Sequence, residues 1–481
     1  MENRKRESRF WNFIDSVEGD KVVWIVVLLL ILISVLAIFS STSLLKDNGK
    51  DRLDIIREQL MTVGAGLALI WGLYKLDKLK INSIKLFMNL SQFGFIFSFL
   101  LLALLDSHAN LGFIKAQKIN EAWRTLSFMG FQIHVFEFTK VAMVMYIAWA
   151  CHSYKKDQEQ IADGGKSSAL RIANLLAQTK NFAFMGKPFW KRMMYMYAPV
   201  CIVFVMVLMG SGSSALFIAA ILLAVLFIGG IPFKEVLVGG LVGAVLLVCG
   251  ISLNRASDGK VLQIFGRFST MTNRMSVEYD TEILKEYQTG SRDFYAARDK
   301  ILQPYGAKVA VHEGGLFGKL SGNSTQKYIV TNMYGDYMFS FLIEEYGLAG
   351  AIFVIILYVS LMARGSHISR MCTKEFTKLA VGGLTLLITG QAFMHMLVNV
   401  DIGPMTGQTL PLVSHGAFAF IMFCIAFGII LSISKMTRVQ MRQAEAEAPP
   451  LYEKEKDDIQ ASMDILDMLD SDEFENMEDD L

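Results

Sequence analysis

The sequence predicts an all-α, polytopic membrane protein with about ten transmembrane helices and one large extracytoplasmic loop. Three observations predict it. Hydrophobic residues make up 53% of the chain and charged residues 19%, below the roughly 25% charged of soluble domains, and mean hydropathy is +0.40. Apolar runs long enough to cross about 30 Å of hydrocarbon recur along the chain. Lys and Arg gather in alternate connections between those runs, the pattern of short cytoplasmic loops.

Residues 1–21 are a basic N-terminus, opening MENRKRESRFWNF. The apolar run behind it is about 20 residues long and lacks a small-residue cleavage site, so it reads as a retained first span and not a signal peptide. Apolar segments near 22–41, 56–76, 84–105, 136–153, 193–210, 213–230 and 234–252 give seven helices within 22–252. Three more, near 336–363, 375–397 and 413–434, give helices eight to ten within 336–434. Basic clusters lie at Arg4, Lys5, Arg6 and Arg9, at 75–85, at 154–192 and at 364–378, whereas 211–213 and 398–412 hold no Lys or Arg. Both termini are therefore expected in the cytoplasm, with 106–135 and 253–335 outside. The long connection 253–335 invites a functional reading. Residues 435–481 turn hydrophilic and then acidic, the composition of a disordered cytoplasmic tail. Within it Ile459, Met463 and Leu466 keep helical spacing.

Composition also excludes classes. A net charge of +1 gives no basic field for nucleic acid. Cys151, Cys201, Cys249, Cys372 and Cys424 form no CxxC pair, and the seven histidines form no HExxH set, so no metal-binding residues are assigned.

The chemistry-bearing stretch is 303–350. It opens polar, with Gly314, Gly315, Gly318 and Gly322 where another group could come close, then Gln326 and Lys327. Asp336 follows at the foot of an apolar run. A carboxylate where a wet loop enters a membrane helix is costly unless paired or used, although helix starts also favour Asp as a cap. Glu344 lies ~12 Å further along that helix and ~80° away in azimuth, so it, and not Glu345, is the one expected to share a lumen with Asp336. Glu137 and Lys140 share a face at the start of the fourth span, either as a functional pair or as a snorkelling one. Arg124 adds a cation upstream. Ser414, behind Pro404, Gly407 and Pro411, could cap the last helix.

Three ordered stretches, AKVAVHEGGLFGKLSGNSTQK, GDYMFSFLIEEYGLAG and PMTGQTLPLVSHG, together resemble motifs of the SEDS family, the FtsW/RodA membrane proteins of bacterial cell-wall synthesis. The resemblance runs over roughly residues 20–435, with TLPLVS nearer the FtsW branch. It implies ten spans in the bacterial inner membrane and a glycosyltransferase that polymerises lipid II into peptidoglycan during division or elongation. It implies a class B penicillin-binding protein as partner, within the division or elongation machinery. The family's catalytic aspartate falls on Asp336, its EExG motif on Glu344, Glu345 and Gly347, and its Glu and Lys on Glu137 and Lys140. The chain departs from the family pattern at Thr125, at His134 to Phe136, at Leu320 and at His415, Ala417 and Phe418.

Such a reaction needs a base for the sugar hydroxyl and cations for the departing diphosphate. Asp336 is the expected base. Arg124, Lys140 and Lys327 are the expected cations, and Gln326, Glu137, Glu344 and Ser414 complete the substrate-binding set. A carboxylate could instead hold a divalent cation, Mg or Mn, and the sequence leaves that open. The rival readings are a lipid II flippase, a non-catalytic scaffold and a small-solute transporter. A flippase would place polar groups at several depths of the bundle, whereas here the candidates cluster at one end.

Overall fold

The computed structural model describes residues 18–42, 52–76, 82–119, 122–164, 167–256, 291–330, 332–403 and 406–447. The basic cluster at 4–9, the stretch 257–290 of the long connection and the acidic tail from 448 lie outside the described residues.

All ten expected apolar segments fall on helices. These are α1 (Lys21–Ser41), α2 (Arg52–Tyr74), α3 (Ser83–Asp106) and α4 (Val135–Ala162). After a short α5 (Arg171–Ala177) come α6 (Pro188–Gly210), α7 (Gly212–Ile228) and α8 (Phe233–Ala256). A further helix, α9 (Arg292–Gly314), precedes α10 (Met338–Met371), α11 (Glu375–Asn399) and α12 (Ala417–Glu447). Six of these, α1, α3, α6, α10, α11 and α12, are individually long and apolar enough to cross a membrane, and α7 is a shorter apolar helix. The molecule is a multi-pass helical membrane protein.

Local chemistry sets the helix starts. The Asp20 carboxylate accepts from the backbone N–H of Val22 (2.9 Å) and Val23 (3.2 Å) at the head of α1, satisfying donors that a helix start leaves open. Asn82 does the same for α3 through Lys85 N (3.1 Å). Extended Ser211 (φ −158°) separates α6 from α7 and caps the latter. α11 and α12 form the centre of the bundle, while much of α3 faces outward. Small residues let helices approach. A Cβ on Gly365 would fall 2.2 Å from Thr385 Oγ1, and one on Gly383 2.7 Å from Val144.

Three features depart from the sequence reading. The stretch after α3 contains a three-stranded antiparallel sheet, β1 (Ile114–Ile119), β2 (Ala122–Phe128) and β3 (Phe131–His134), in the order β1-β2-β3. This adds a small sheet to a chain expected to be all-α. The start of the motif stretch is helical, as α9, and not loop, despite Pro304 inside it. The third departure is a break inside α10 at Gly347 (φ 69°, ψ −171°). In an unbroken helix, Leu348 N and Ala349 N would bond to the carbonyls of Glu344 and Glu345. Here Leu348 N donates to Gly315 O (2.9 Å) and Ala349 N to Leu316 O (3.1 Å). In return the two freed carbonyls accept from Lys319 N and Leu320 N (both 2.9 Å). The glycine-rich segment is thus laced into the broken helix by four backbone hydrogen bonds. A side chain is barred at the crossing, because a Cβ on Gly318 would lie 2.3 Å from Glu345 O and one on Gly347 2.4 Å from Leu316 O.

Candidate active site

Asp336 lies in the turn before α10 and is half-buried. It does not cap the helix: the N-cap residue is Tyr337, and no side-chain hydrogen bond caps it. The turn is held from several sides. Asn332 Nδ2 donates to Asp336 Oδ2 (2.9 Å). Asn399, at the end of α11, donates from Nδ2 to the Asp336 carbonyl (3.0 Å), while its Oδ1 accepts from Ser340 N (3.0 Å). Ser414 Oγ donates to Gly335 O (2.8 Å) and accepts from Leu410 N (2.9 Å), and His415 N donates to Tyr334 O (2.9 Å). Ser414 therefore ties the loop before α12 to the Asp336 turn. The cap expected of it is not what it makes.

Arg124 projects from β2 toward the same place. Arg124 Nη1 and Asp336 Oδ2 each lie 3.9 Å from the point where a Cβ of Gly407 would stand. Gly407 has φ +62°, a conformation that favours glycine, and its missing side chain leaves the carboxylate and the guanidinium facing a shared space. The neighbouring His134 begins α4 from the end of β3. Burial pushes its imidazole below the ordinary value, Glu137 opposes this, and Arg124 and Lys140 add to it.

The other expected cations are elsewhere. Lys140 is 1% exposed, and its ammonium donates to Glu137 Oε1 (2.7 Å), Gln391 Oε1 (2.8 Å) and Gln408 Oε1 (2.6 Å). An ammonium has three protons, and all are in use. The network continues from Gln408 Nε2 to Ser214 Oγ (2.8 Å), from Gln391 Nε2 to Thr409 O (3.0 Å), and from His395 Nδ1 to the Gln408 carbonyl (2.7 Å). Lys140 thus anchors the loop that carries Gly407. Lys327 is also buried, donating to Gly322 O (2.7 Å) and Ser40 O (3.3 Å), with Glu345 Oε1 at 3.8 Å.

The expectation for Glu344 is overturned in the same way. Its carboxylate is buried among the glycine-rich segment, accepting from Thr325 N (2.8 Å), Gln326 N (3.2 Å), Lys319 Nζ (3.0 Å) and Ser324 Oγ. Gln326 is buried beside it. Glu345 accepts from Ser40 Oγ (2.6 Å) and Gly322 N (2.9 Å). Both glutamates hold the segment, Glu344 at Lys319 and 324–326 and Glu345 at Gly322, so the EEYG stretch is a fastening device. At Gly314 and Gly318 the group that comes close is the backbone of α10. Lys319 sits between Glu313 and Glu344; burial lowers its affinity for a proton, but those carboxylates outweigh it and hold the amine above its ordinary value.

Sequence reasoning missed Asn332, Asn399, Gln391 and Gln408. Gln391 and Asn399 are buried polar residues inside an apolar span, a signal that could have found them. Among the described residues no group of three or more His, Cys, Asp or Glu converges to hold a metal ion. Among the described residues, the carboxylate beside Gly407 shares its space with a guanidinium, a donor set short of the several oxygen ligands a divalent ion takes.

A helical membrane bundle with an acid and a guanidinium brought together at one end defines a polytopic membrane protein with a candidate acid–base centre. The chain belongs to the FtsW/RodA/SpoVE family, described as cell cycle proteins, whose pattern matches residues 20–439. It is 31% identical over 208 residues to the probable peptidoglycan glycosyltransferase FtsW of Hahella chejuensis, covering 42% of this chain and 51% of that one. In that alignment the chain spans about half the length of its relative. A longer alignment, to the probable peptidoglycan glycosyltransferase FtsW of Enterococcus hirae, is 26% identical and covers 91% of this chain and 99% of that one. A chain from a solved peptidoglycan synthase complex that coordinates polymerisation and crosslinking shares the fold, with a TM-score of 0.57 at 18% identity, covering 87% of this chain and 98% of that one.

Proposed function

We propose that this protein is a peptidoglycan glycosyltransferase that polymerises lipid II into glycan strands at the outer face of the bacterial cytoplasmic membrane. On this reading both termini are cytoplasmic, the sheet and α9 are external, and a class B penicillin-binding protein within the division or elongation machinery crosslinks the product. The names of the relatives support the reaction class. The observation that carries the reading is the Asp336–Arg124 pair, aimed from two elements at the space above Gly407.

The chemistry follows from that pair. Asp336 takes the proton of the acceptor sugar's 4-hydroxyl as its oxygen attacks the anomeric carbon of the donor. The bond from that carbon to the undecaprenyl diphosphate breaks, and negative charge grows on the departing phosphate oxygen. Arg124, a planar fork suited to phosphate, receives it. A single displacement inverts the anomeric centre. Lys140 and Lys327 have positioning roles here: the first fixes the Gly407 loop, the second fastens the glycine-rich segment.

Asp336→Asn keeps the shape of the turn and removes the base. Polymerisation of labelled lipid II by the purified variant with its transpeptidase partner should fall by at least about 100-fold, with membrane insertion unchanged. Polymerisation at the parental rate would overturn the assignment.

A further inference from the structure

At the end of α4 opposite the sheet, about 42 Å away along the helix, the chain forms a second built surface. α5 is pinned there. Asp157 and Lys191, both buried, pair at 2.6 Å. Asn174 Nδ2 donates to Asp157 Oδ1 (2.9 Å) and to Ala169 O (2.8 Å), and Leu170, Ala173 and Tyr195 pack beneath. The pin fixes which face of this foot is turned outward. That face carries Ile172 (58% exposed), Leu175 (62%), Phe182 (45%) and Phe189 (46%), with Trp190 beside them.

Interleaved with these apolar residues are exposed Arg171, Lys180 and Lys187, and no Asp or Glu occurs from 167 to 192. Other cations of the region are engaged within the fold: Lys155 with Glu375 (2.7 Å) and Arg192 with Glu235 (2.6 Å). The strip runs directly into α6 at Pro188, the start of an apolar membrane span. Chain connectivity therefore holds it at the depth where hydrocarbon gives way to head groups. Aromatic and basic residues together at that depth match an interface whose lipid carries negative charge.

We infer that the foot formed by 171–190 is a docking surface for anionic phospholipids, with Arg171, Lys180 and Lys187 receiving the head-group phosphates and the apolar side chains entering the acyl boundary. The inference rests on the membrane reading of the chain and is independent of the proposed reaction. The chain's own acidic tail is the competing occupant, because α12 starts beside the Asp336 turn and runs to the same far side.

The test uses the full chain in nanodiscs of phosphatidylcholine, with and without phosphatidylglycerol, and reads hydrogen exchange of the 171–187 amides. Phosphatidylglycerol should slow exchange there, and each of Arg171→Gln, Lys180→Gln and Lys187→Gln should remove about a fivefold share of that slowing. A chain lacking 448–481 should respond to phosphatidylglycerol as the full chain does. Equal exchange in the two lipids would overturn the inference, as would a lipid effect that appears only after the tail is removed. Phe182→Ser leaves all three cations in place and should speed exchange in both lipids. Its failure to do so would also count against a membrane-seated surface.

Discussion

Replacing Lys140 by Met separates a positioning cation from one that touches substrate. The change keeps most of the aliphatic volume and leaves Glu137 Oε1, Gln391 Oε1 and Gln408 Oε1 without their shared donor. Removing one partner of a buried ion pair costs about 3–5 kcal/mol. Hydrogen bonds between neutral groups inside membrane bundles average only about 0.6 kcal/mol. Glu137 is 16% exposed and keeps some water, so the lower end applies, and the loss should be about 3 kcal/mol. Unfolding in detergent micelles measures it. Glu137→Gln in the same chain should recover about 1 kcal/mol, since the stranded carboxylate is then neutral. Turnover should fall through kcat, because the Gly407 loop loses its anchor. A Lys140→Met protein within about 0.5 kcal/mol of the parent, with a raised KM for the lipid-linked substrate, would refute the argument and return Lys140 to the diphosphate.

Other positions give independent checks. Gly347→Ala puts a Cβ 2.4 Å from Leu316 O at φ +69°, so the lacing at α10 should fail and proteolysis should cut the 315–327 segment; an uncut, fully stable variant would contradict it. Ser414→Ala removes two hydrogen bonds between the loop before α12 and the Asp336 turn, a loss of about 1–3 kcal/mol, and should lower kcat more than it raises KM in a polymerisation assay. His134 is held below its ordinary value of 6.5, so its contribution to stability is complete above that pH and is lost as pH falls through the folded value. Thermal unfolding of the parent should therefore weaken below about pH 6.5, and His134→Phe should remove that component.

The spans were legible because each is an apolar run bounded by caps, charges or glycines, and Asp336 stood out as an acid at the mouth of one. The sheet was not legible. Its strands are short, IKAQKI and FQIH among them, and mix charge with apolar residues between two strongly hydrophobic spans. The role of the glutamates was misjudged for a physical reason. The azimuth argument for Glu344 counted Asp336 as a helical residue, but Asp336 lies in the turn before α10, and the glycine-rich segment folds back onto both glutamates. Lys140 and Lys327 look alike in sequence, as cations near an external surface. Only the fold reveals that both are buried, with acceptors using all three protons of Lys140 and two carbonyls accepting from Lys327. The Asp336–Arg124 meeting joins residues more than two hundred positions apart through a glycine on a third segment, and no spacing rule encodes it.

The interruption of α10 has a mechanical consequence. A continuous rod transmits tilt along its whole length, so changes in bilayer thickness, which spans accommodate by tilting, would reach the Asp336 turn. At Gly347 both pieces of α10 are bonded sideways to the glycine-rich segment, and the piece nearer Asp336 is tied through Asn399 to α11. Tilt of the piece after Gly347 then reaches the Asp336 turn through that segment and not along an unbroken helix ladder.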